Sequence, residues 1–342
     1  MNRIILIGNG FDLAHGLQTS YNNFIDWLWK KEFNKIGKLY QKGADKYFNE
    51  NDFFSISAKF PLDITGECNN FSFKQFKDYI NVPSSVNFQI TFKNHFLDRL
   101  LNNEFYYLQN WVDIEEEYYK ALKDCLRSSY KGGIDKLHQD FKQIKNELQT
   151  YLTKINDKLE EYKIDFPDTE LLGQIYSKPE QINNILFLNF NYTSTHKFYS
   201  KEYNKLDRLK IRDTNSIQIH GSIFEIDHNS IVFGYGDEFD DDYKLIEKMN
   251  DNRYFENIKM MKYTETNGRA YKALQEYINS DKYQIFLFGH SCGLSDRTLL
   301  NMLFMHNNCV SINPFYHKKE DGTNNYNDIS RNISCLMLSH FQ

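Results

Sequence analysis

Apolar positions along this chain follow two rhythms. The first is a short unbroken run, Ile4-Ile5-Leu6-Ile7 after Arg3, that stops at Gly8-Asn9-Gly10. A run this short, rich in β-branched residues and closed by glycines, predicts a buried strand over 3–7 entering a tight turn. Residues 11–15 then begin a helical pattern. The second rhythm fills residues 20 to about 179. Over 22–33, and in a long stretch over 113–162, Leu, Ile, Tyr and Phe recur at helical spacing among Glu and Lys, with Gly132-Gly133 as the clear break. That spacing predicts amphipathic helices. Residues 69–91, with Pro83 and several Phe, keep neither period and read as a loop or small subdomain.

After residue 182 the short apolar runs return, at 185–188, 217–219, 231–233, 285–288, 309–312 and 335–338. Strands of this kind, buried on both faces and separated by turns and helices, belong to a mostly parallel sheet covered by helices. The expected fold is α/β and Rossmann-like. The first strand shares a sheet with the strands after 182, and a large helical insertion, about 22–180, follows the first strand and helix. The whole of 1–342 reads as one domain. In such sheets ligands sit beyond the carboxyl ends of the strands.

Composition narrows the function classes. A 41% hydrophobic content with 16% aromatics supports a sizeable core, and the net charge of −5 with dispersed Lys and Arg leaves no basic face for nucleic acid. The five cysteines, Cys68, Cys125, Cys292, Cys309 and Cys335, are isolated, without a CxxC pair. They fit reduced thiols and neither a disulfide framework nor a zinc site. The acidic run Asp237-Glu238-Phe239-Asp240-Asp241-Asp242 reads as a solvated loop, so no metal is expected. No segment has the roughly 18 apolar residues of a membrane span, and the N-terminus has no cleavable signal pattern. A cytoplasmic protein, away from membranes, is the expectation.

Polar residues collect where the strands are expected to end. The first strand delivers Gly8, Asn9 and Gly10, and the strand at 185 delivers Asn189, Phe190, Asn191 and Tyr192. The strand at 217 delivers His220-Gly221, and the strand at 285 delivers Gly289, His290 and Ser291. At the first turn, glycines admit a close-lying ligand and helix N–H groups suit an anion. A GxGxxG dinucleotide fingerprint would need a glycine where Leu13 stands, so an ordinary dehydrogenase is disfavoured.

The segments GNGFDLAHGL, NFNYT, IHG and FGHSCGLSD together resemble the AbiH family of phage abortive-infection proteins, and so does Trp111-Val112-Asp113-Ile114-Glu115. More remotely they resemble the sirtuin fold. Gly8, Gly10 and Gly16 match its glycine motif, Asn191 its asparagine, His220-Gly221 its histidine-glycine pair, and Gly289-His290-Ser291 its late nucleotide contact. The resemblance implies a sirtuin-type sheet that binds and hydrolyses NAD as substrate, or a related nucleotide. The nucleotide-binding residues it implies are Gly8, Asn9, Gly10, Phe11, Asp12 and Gly16 at the first turn, with Tyr21 after it. Gly289, Ser291 and Asp296 complete them at the late strand. A phage-encoded trigger and self-association are the further partners it brings in. The chain departs from the sirtuin pattern at Thr193, where an aspartate stands in that family, and at Gln18, where a proline is usual. It also lacks a zinc-binding cysteine quartet, which disfavours a protein deacetylase.

Cleaving the nicotinamide–ribose bond expels a neutral leaving group and builds positive charge on the sugar. A site for it must hold the ribose, place a water and accept a proton. Asn191 is suited to orient the water, His220 to act as general base, and Asp12 to hydrogen-bond a ribose or to cap the helix that follows. His15 reads as structural. Two rival readings stand beside this one. In the first, the crevice is a non-catalytic sensor of NAD or ADP-ribose, as Thr193 suggests. In the second, Gly289-His290-Ser291-Cys292-Gly293 is a G-x-S-x-G elbow with Ser291 as nucleophile, served by Asp321 or Asp328 and His340.

Overall fold

Every residue of the first strand, β1 (Asn2–Ile7), is buried, and a strand that packs on both faces must sit inside a sheet. The computed structural model describes residues 1–59, 88–102, 111–159, 168–178, 181–202, 213–223, 231–235, 241–265, 268–316, 318 and 321–338. In chain order the further strands are β2 (Lys46–Glu50), β3 (Phe54–Lys59), β4 (Phe88–Phe92), β5 (Asn184–Asn189), β6 (Asp213–Gln218), β7 (Tyr283–Phe288) and β8 (Cys309–Phe315). Contacts divide the chain into two compact units, Met1–Thr19 with Leu152–Gln342, and Ser20–Tyr151.

The first unit is built on a five-stranded sheet of order β6-β5-β1-β7-β8, parallel throughout. β1 lies at its centre, with Ile5 opposite Phe187 of β5 and Phe286 of β7. Successive side chains of a strand point to opposite faces. Ile4, Leu6, Leu186, Leu188, Ile285 and Leu287 therefore join one core with Leu274, Leu299 and Leu303 from the helices Gly268–Ser280 and Arg297–Phe304. Ile5, Ile7, Ile185, Phe187 and Phe288 join another with Phe11, Tyr176 and Tyr199. The strand order reverses between β1 and β7, so the ligand position expected of a Rossmann-like sheet lies at the carboxyl ends of those two strands.

Three expectations about this unit need correction. The strand expected at 217–219 begins at Asp213, because an edge strand with one side in water accommodates Asp213, Asn215 and Ser216, which carry no apolar signal. Residues 231–233 are buried but form no strand; Val232 N–H donates to the His220 carbonyl at 2.8 Å and Val232 O accepts from the Tyr192 hydroxyl at 2.9 Å. Residues 335–338 end the helix Tyr326–Leu338, where Ile329, Ile333 and Leu336 at helical spacing meet the core. A four-residue window cannot separate the two periods.

The second unit contains helices Tyr21–Gln41, His95–Asn102, Trp111–Leu126 and the start of Gly133–Asp157. The break between the last two ends at Gly132 and Gly133, with φ of +90° and +71°, the second of which begins the helix Gly133–Asp157. Alongside them is a three-stranded antiparallel sheet, β2-β3-β4, that the helical reading of this region lacks. Tyr47, Phe54 and Ile56 of its strands are buried while Phe48 is exposed. β2 carries its signal in a single buried tyrosine, beside the exposed Phe48 and charged and amide residues. Of the irregular stretch 69–91, residues 69–87 lie outside the described residues, and the remainder falls in β4. No described helix is long and apolar enough to cross a membrane.

The turn after β1 packs directly on the turn after β7. Gly8 N–H donates to Phe288 O at 3.0 Å and Gly10 N–H to Gly289 O at 2.8 Å. A Cβ on Gly8 would lie 2.6 Å from His290 Cα, and one on Gly289 would lie 2.1 Å from Phe11 N. The lack of a side chain at these glycines admits the protein's own backbone. Phe11 N–H is likewise taken, by Gly8 O at 2.9 Å, so this turn is not an array of unpaired N–H groups awaiting an anion.

Gly289 has a φ of +67°, and Gly16, with φ +77°, has no atom of the described residues within 4 Å of where a Cβ would stand. Gly16→Ala should therefore cost only the backbone term, about 1 kcal/mol. Gly289→Ala adds a backbone collision and should cost about 4 kcal/mol or more. Urea unfolding of the two variants checks this, and equal losses would refute the packing role.

Candidate functional site

The loop after β5 is held by short-range amide bonds that its residue order makes available. Asn189, fully buried, accepts from Asn191 N at 2.9 Å through Oδ1 and donates from Nδ2 to Thr193 O at 3.0 Å and to His196 Nδ1 at 2.9 Å. An asparagine that bonds backbone two and four residues ahead makes a turn of this kind. Burial pushes His196 down to about 3, so it stays neutral and accepts that bond.

Asn191 and Asp12 tie this loop to the first turn. Asn191 Nδ2 donates to Gly8 O at 3.0 Å across strand ends adjacent in the sheet. The two carboxylate oxygens of Asp12 accept from Thr193 Oγ1 and Thr195 Oγ1, each at 2.6 Å. Asp12 is 1% exposed. Burial raises its pKa to about 6, against hydrogen bonds from Thr193, Thr195 and Asn191 that lower it. Asp12 lies in the first turn of its helix, and with each carboxylate oxygen taken by a threonine hydroxyl it is a strut between two loops. Thr193, the departure from the sirtuin pattern, is its partner.

Beyond β6 and β7 a second cluster forms around Asp296. Asp296 Oδ1 accepts from Lys259 Nζ at 2.8 Å and lies 3.0 Å from His220 Nε2, while Oδ2 lies 3.5 Å from His290 Nε2. All four side chains are buried. Burial works to raise the Asp296 pKa, but Lys259, His220 and His290 together hold it well below the usual carboxylate range. Burial, aided by Lys259, lowers His220 below the ordinary imidazole value, with Asp296 opposing. Asp296 is ionised and His220 neutral near pH 7. Phe190 bridges the two imidazoles, its ring 5.0 Å from His220 and 4.4 Å from His290.

Around these buried groups Asn9, Gly10, Tyr192 and Gly289 are partly exposed and Ser291 is exposed. Phe11 is buried in the core against His15 and Tyr199, at ring distances of 4.6 and 5.3 Å. His15 bonds the Phe11 carbonyl and the Tyr199 hydroxyl, a structural arrangement. Gly16 closes the first helix with its positive φ. Tyr21 starts the long helix of the second unit and is fully buried there.

Ser291 is joined to the rest of the protein through its carbonyl, which accepts from Asn332 Nδ2 at 2.8 Å. Asp321 is bonded to Thr323 and Asp328 is paired with Arg331, while His340 lies outside the described residues. The non-glycine residue with positive φ in this turn is Cys292 at +53°, and Ser291 is not among the positive-φ residues. Cys292 is buried, and burial raises its pKa to about 12, so it is no ready thiolate. Of the acidic run, 237–240 lie outside the described residues, and Asp241 is exposed and paired with Lys244.

Lys259 and Thr195 went unread in the sequence. Lys259 begins a short helix, Lys259–Glu265, and nothing in its neighbours marks a lysine that becomes 2% exposed. Thr195 lay beside the NFNYT segment and could have been found by asking what pairs with a buried Asp12.

The family model described as bacteriophage abortive infection AbiH matches residues 4–317. The chain belongs to that family. No curated protein matches it.

The Asp12 pKa of about 6 lies above its ordinary 3.8. A group raised on folding adds stability that is full below about pH 4 and is lost as pH rises through about 6. Between pH 7 and pH 5 the native chain should thus gain about 1 kcal/mol relative to Asp12→Asn. Paired denaturant titrations at the two pH values measure this; a wild-type minus variant difference that does not change with pH would rule it out.

Proposed function

We propose that this AbiH-family protein is an abortive-infection effector that hydrolyses NAD at the nicotinamide–ribose bond. The observation that carries the reading is the pairing, at neighbouring carboxyl ends of one parallel sheet, of a neutral buried histidine, His220, with an amide, Asn191. The resemblance of the glycine, asparagine and histidine segments to sirtuins supplies the substrate. In this scheme the C1′–N bond breaks and its electron pair leaves with nicotinamide. Asn191 orients a water through Oδ1, since its Nδ2 serves Gly8 O. The water oxygen bonds C1′ and its proton passes to His220. The substrate lies over Asn9, Tyr192, Gly289 and Ser291, and its phosphates are not held by the Gly10 amide, which is donated within the chain.

A second reading, a sensor that binds NAD or ADP-ribose without turnover, draws on one observation: Thr193 serves Asp12, so this loop offers no carboxylate to the sugar.

Purified protein incubated with NAD should release nicotinamide, and His220→Ala and Asn191→Ala should each lower the rate by about a hundredfold to ten-thousandfold. The same substitutions should relieve growth arrest on expression. Ser291→Ala should weaken NAD binding and keep turnover at high NAD. Binding by calorimetry without nicotinamide release would favour the sensor, and full turnover in His220→Ala would remove the general base.

A further inference from the structure

A carboxylate can only accept hydrogen bonds, and that fixes more of the Asp296 cluster than its distances alone. Lys259 Nζ at 2.8 Å accounts for the ionised form of Asp296, so His220 Nε2, at 3.0 Å from the same oxygen, must carry the hydrogen. In a neutral imidazole the other nitrogen then has a bare lone pair. His220 Nδ1 has no hydrogen-bond partner among the described residues. The His290 ring is fixed in the same way: Cys292 N donates to its Nδ1 at 3.0 Å, which leaves Nε2–H toward Asp296 Oδ2.

We propose that Asp296, anchored by Lys259, is the positioning residue that sets the tautomer and ring orientation of His220, so that Nδ1 is the nitrogen that takes the proton. This rests on the reading of His220 as general base and names the residues that make it one. Asp296 and Lys259 act through His220 and do not touch the reacting atoms. The arrangement parallels the general rule that the group bonded to one imidazole nitrogen decides the chemistry of the other. Among the described residues, the charged and titratable groups around His220 are Asp296, Lys259 and His290, with the rings of Tyr192 and Tyr263 at 6.2 and 6.1 Å. Lys259 contributes a second effect, since an ammonium beside an imidazole disfavours its protonation and keeps the base available at lower pH.

The test is nitrogen NMR of the full chain labelled at histidine, with His220 assigned by the signals lost in His220→Gln. At neutral pH the wild type should show a protonated Nε2 and an unprotonated Nδ1. Lys259→Met should raise the His220 midpoint, and with it the acid limb of kcat/KM for NAD, by about 1 pH unit. Lys259→Arg should restore it. Asp296→Asn should lower kcat by about a hundredfold or more with little change in KM. A hydrogen on Nδ1 in the wild type, or a His220 midpoint unmoved in Lys259→Met, would overturn the proposal. Should Asp296→Asn fail to fold, the wild-type spectrum and Lys259→Met still decide. The two readings fail separately. The expected tautomer without nicotinamide release sinks the hydrolase and leaves the orientation, whereas release with hydrogen on Nδ1 does the reverse.

Discussion

Backbone meets backbone where β1 and β7 end, and the placement of the polar loops follows from that contact. Gly8 and Gly10 lie against Gly289 and His290 at separations where a single methyl group would collide, and Gly10 N–H closes the contact on Gly289 O. Two chain segments far apart in sequence are thereby fixed at the point where the strand order reverses. Asn191 then needs only its short amide to reach Gly8 O, and Asp12, one turn into the helix, meets Thr193 and Thr195.

Two buried carboxylates stand on this frame, and their surroundings drive them apart. Asp12 is met by hydroxyls and an amide, which soften the cost of desolvating a charge without cancelling it, and its pKa rises to about 6. Asp296 has an ammonium at 2.8 Å and two imidazoles, which together overcome the same burial. The first ties loops together, and the second organises a histidine. A buried ion pair such as Lys259 with Asp296 is seldom a net source of stability, since desolvating both charges offsets their attraction. Its place at the end of a parallel sheet is better explained by what it does to His220.

Much of the sheet was legible from pattern alone. β1, β5 and β7 are apolar runs buried on both faces, β8 is a half-exposed edge strand that still shows as the run from Cys309 to Ile312, and the break at 132–133 is a local effect of φ. β6 and β2 were not legible as drawn, because edge and half-exposed strands are held by backbone bonds that place little demand on side chains. The helix over 335–338 was misread because a short window has no period.

The sequence by itself determined which residue types gather at the strand ends: glycines, asparagines, and the histidines at 220 and 290. Backbone preference and hydrophobic period act over a few residues, and these assignments lie within that range. Only the tertiary structure decided what each residue faces. Gly8 and Gly10 face a second turn that a side chain on either would strike; Asp12 faces two threonines; Asp296 faces a lysine that no local pattern marks. Partners of this kind are separated by tens to hundreds of residues, and the electrostatic character of a buried group is set by whatever the fold packs against it, which no local window of sequence contains.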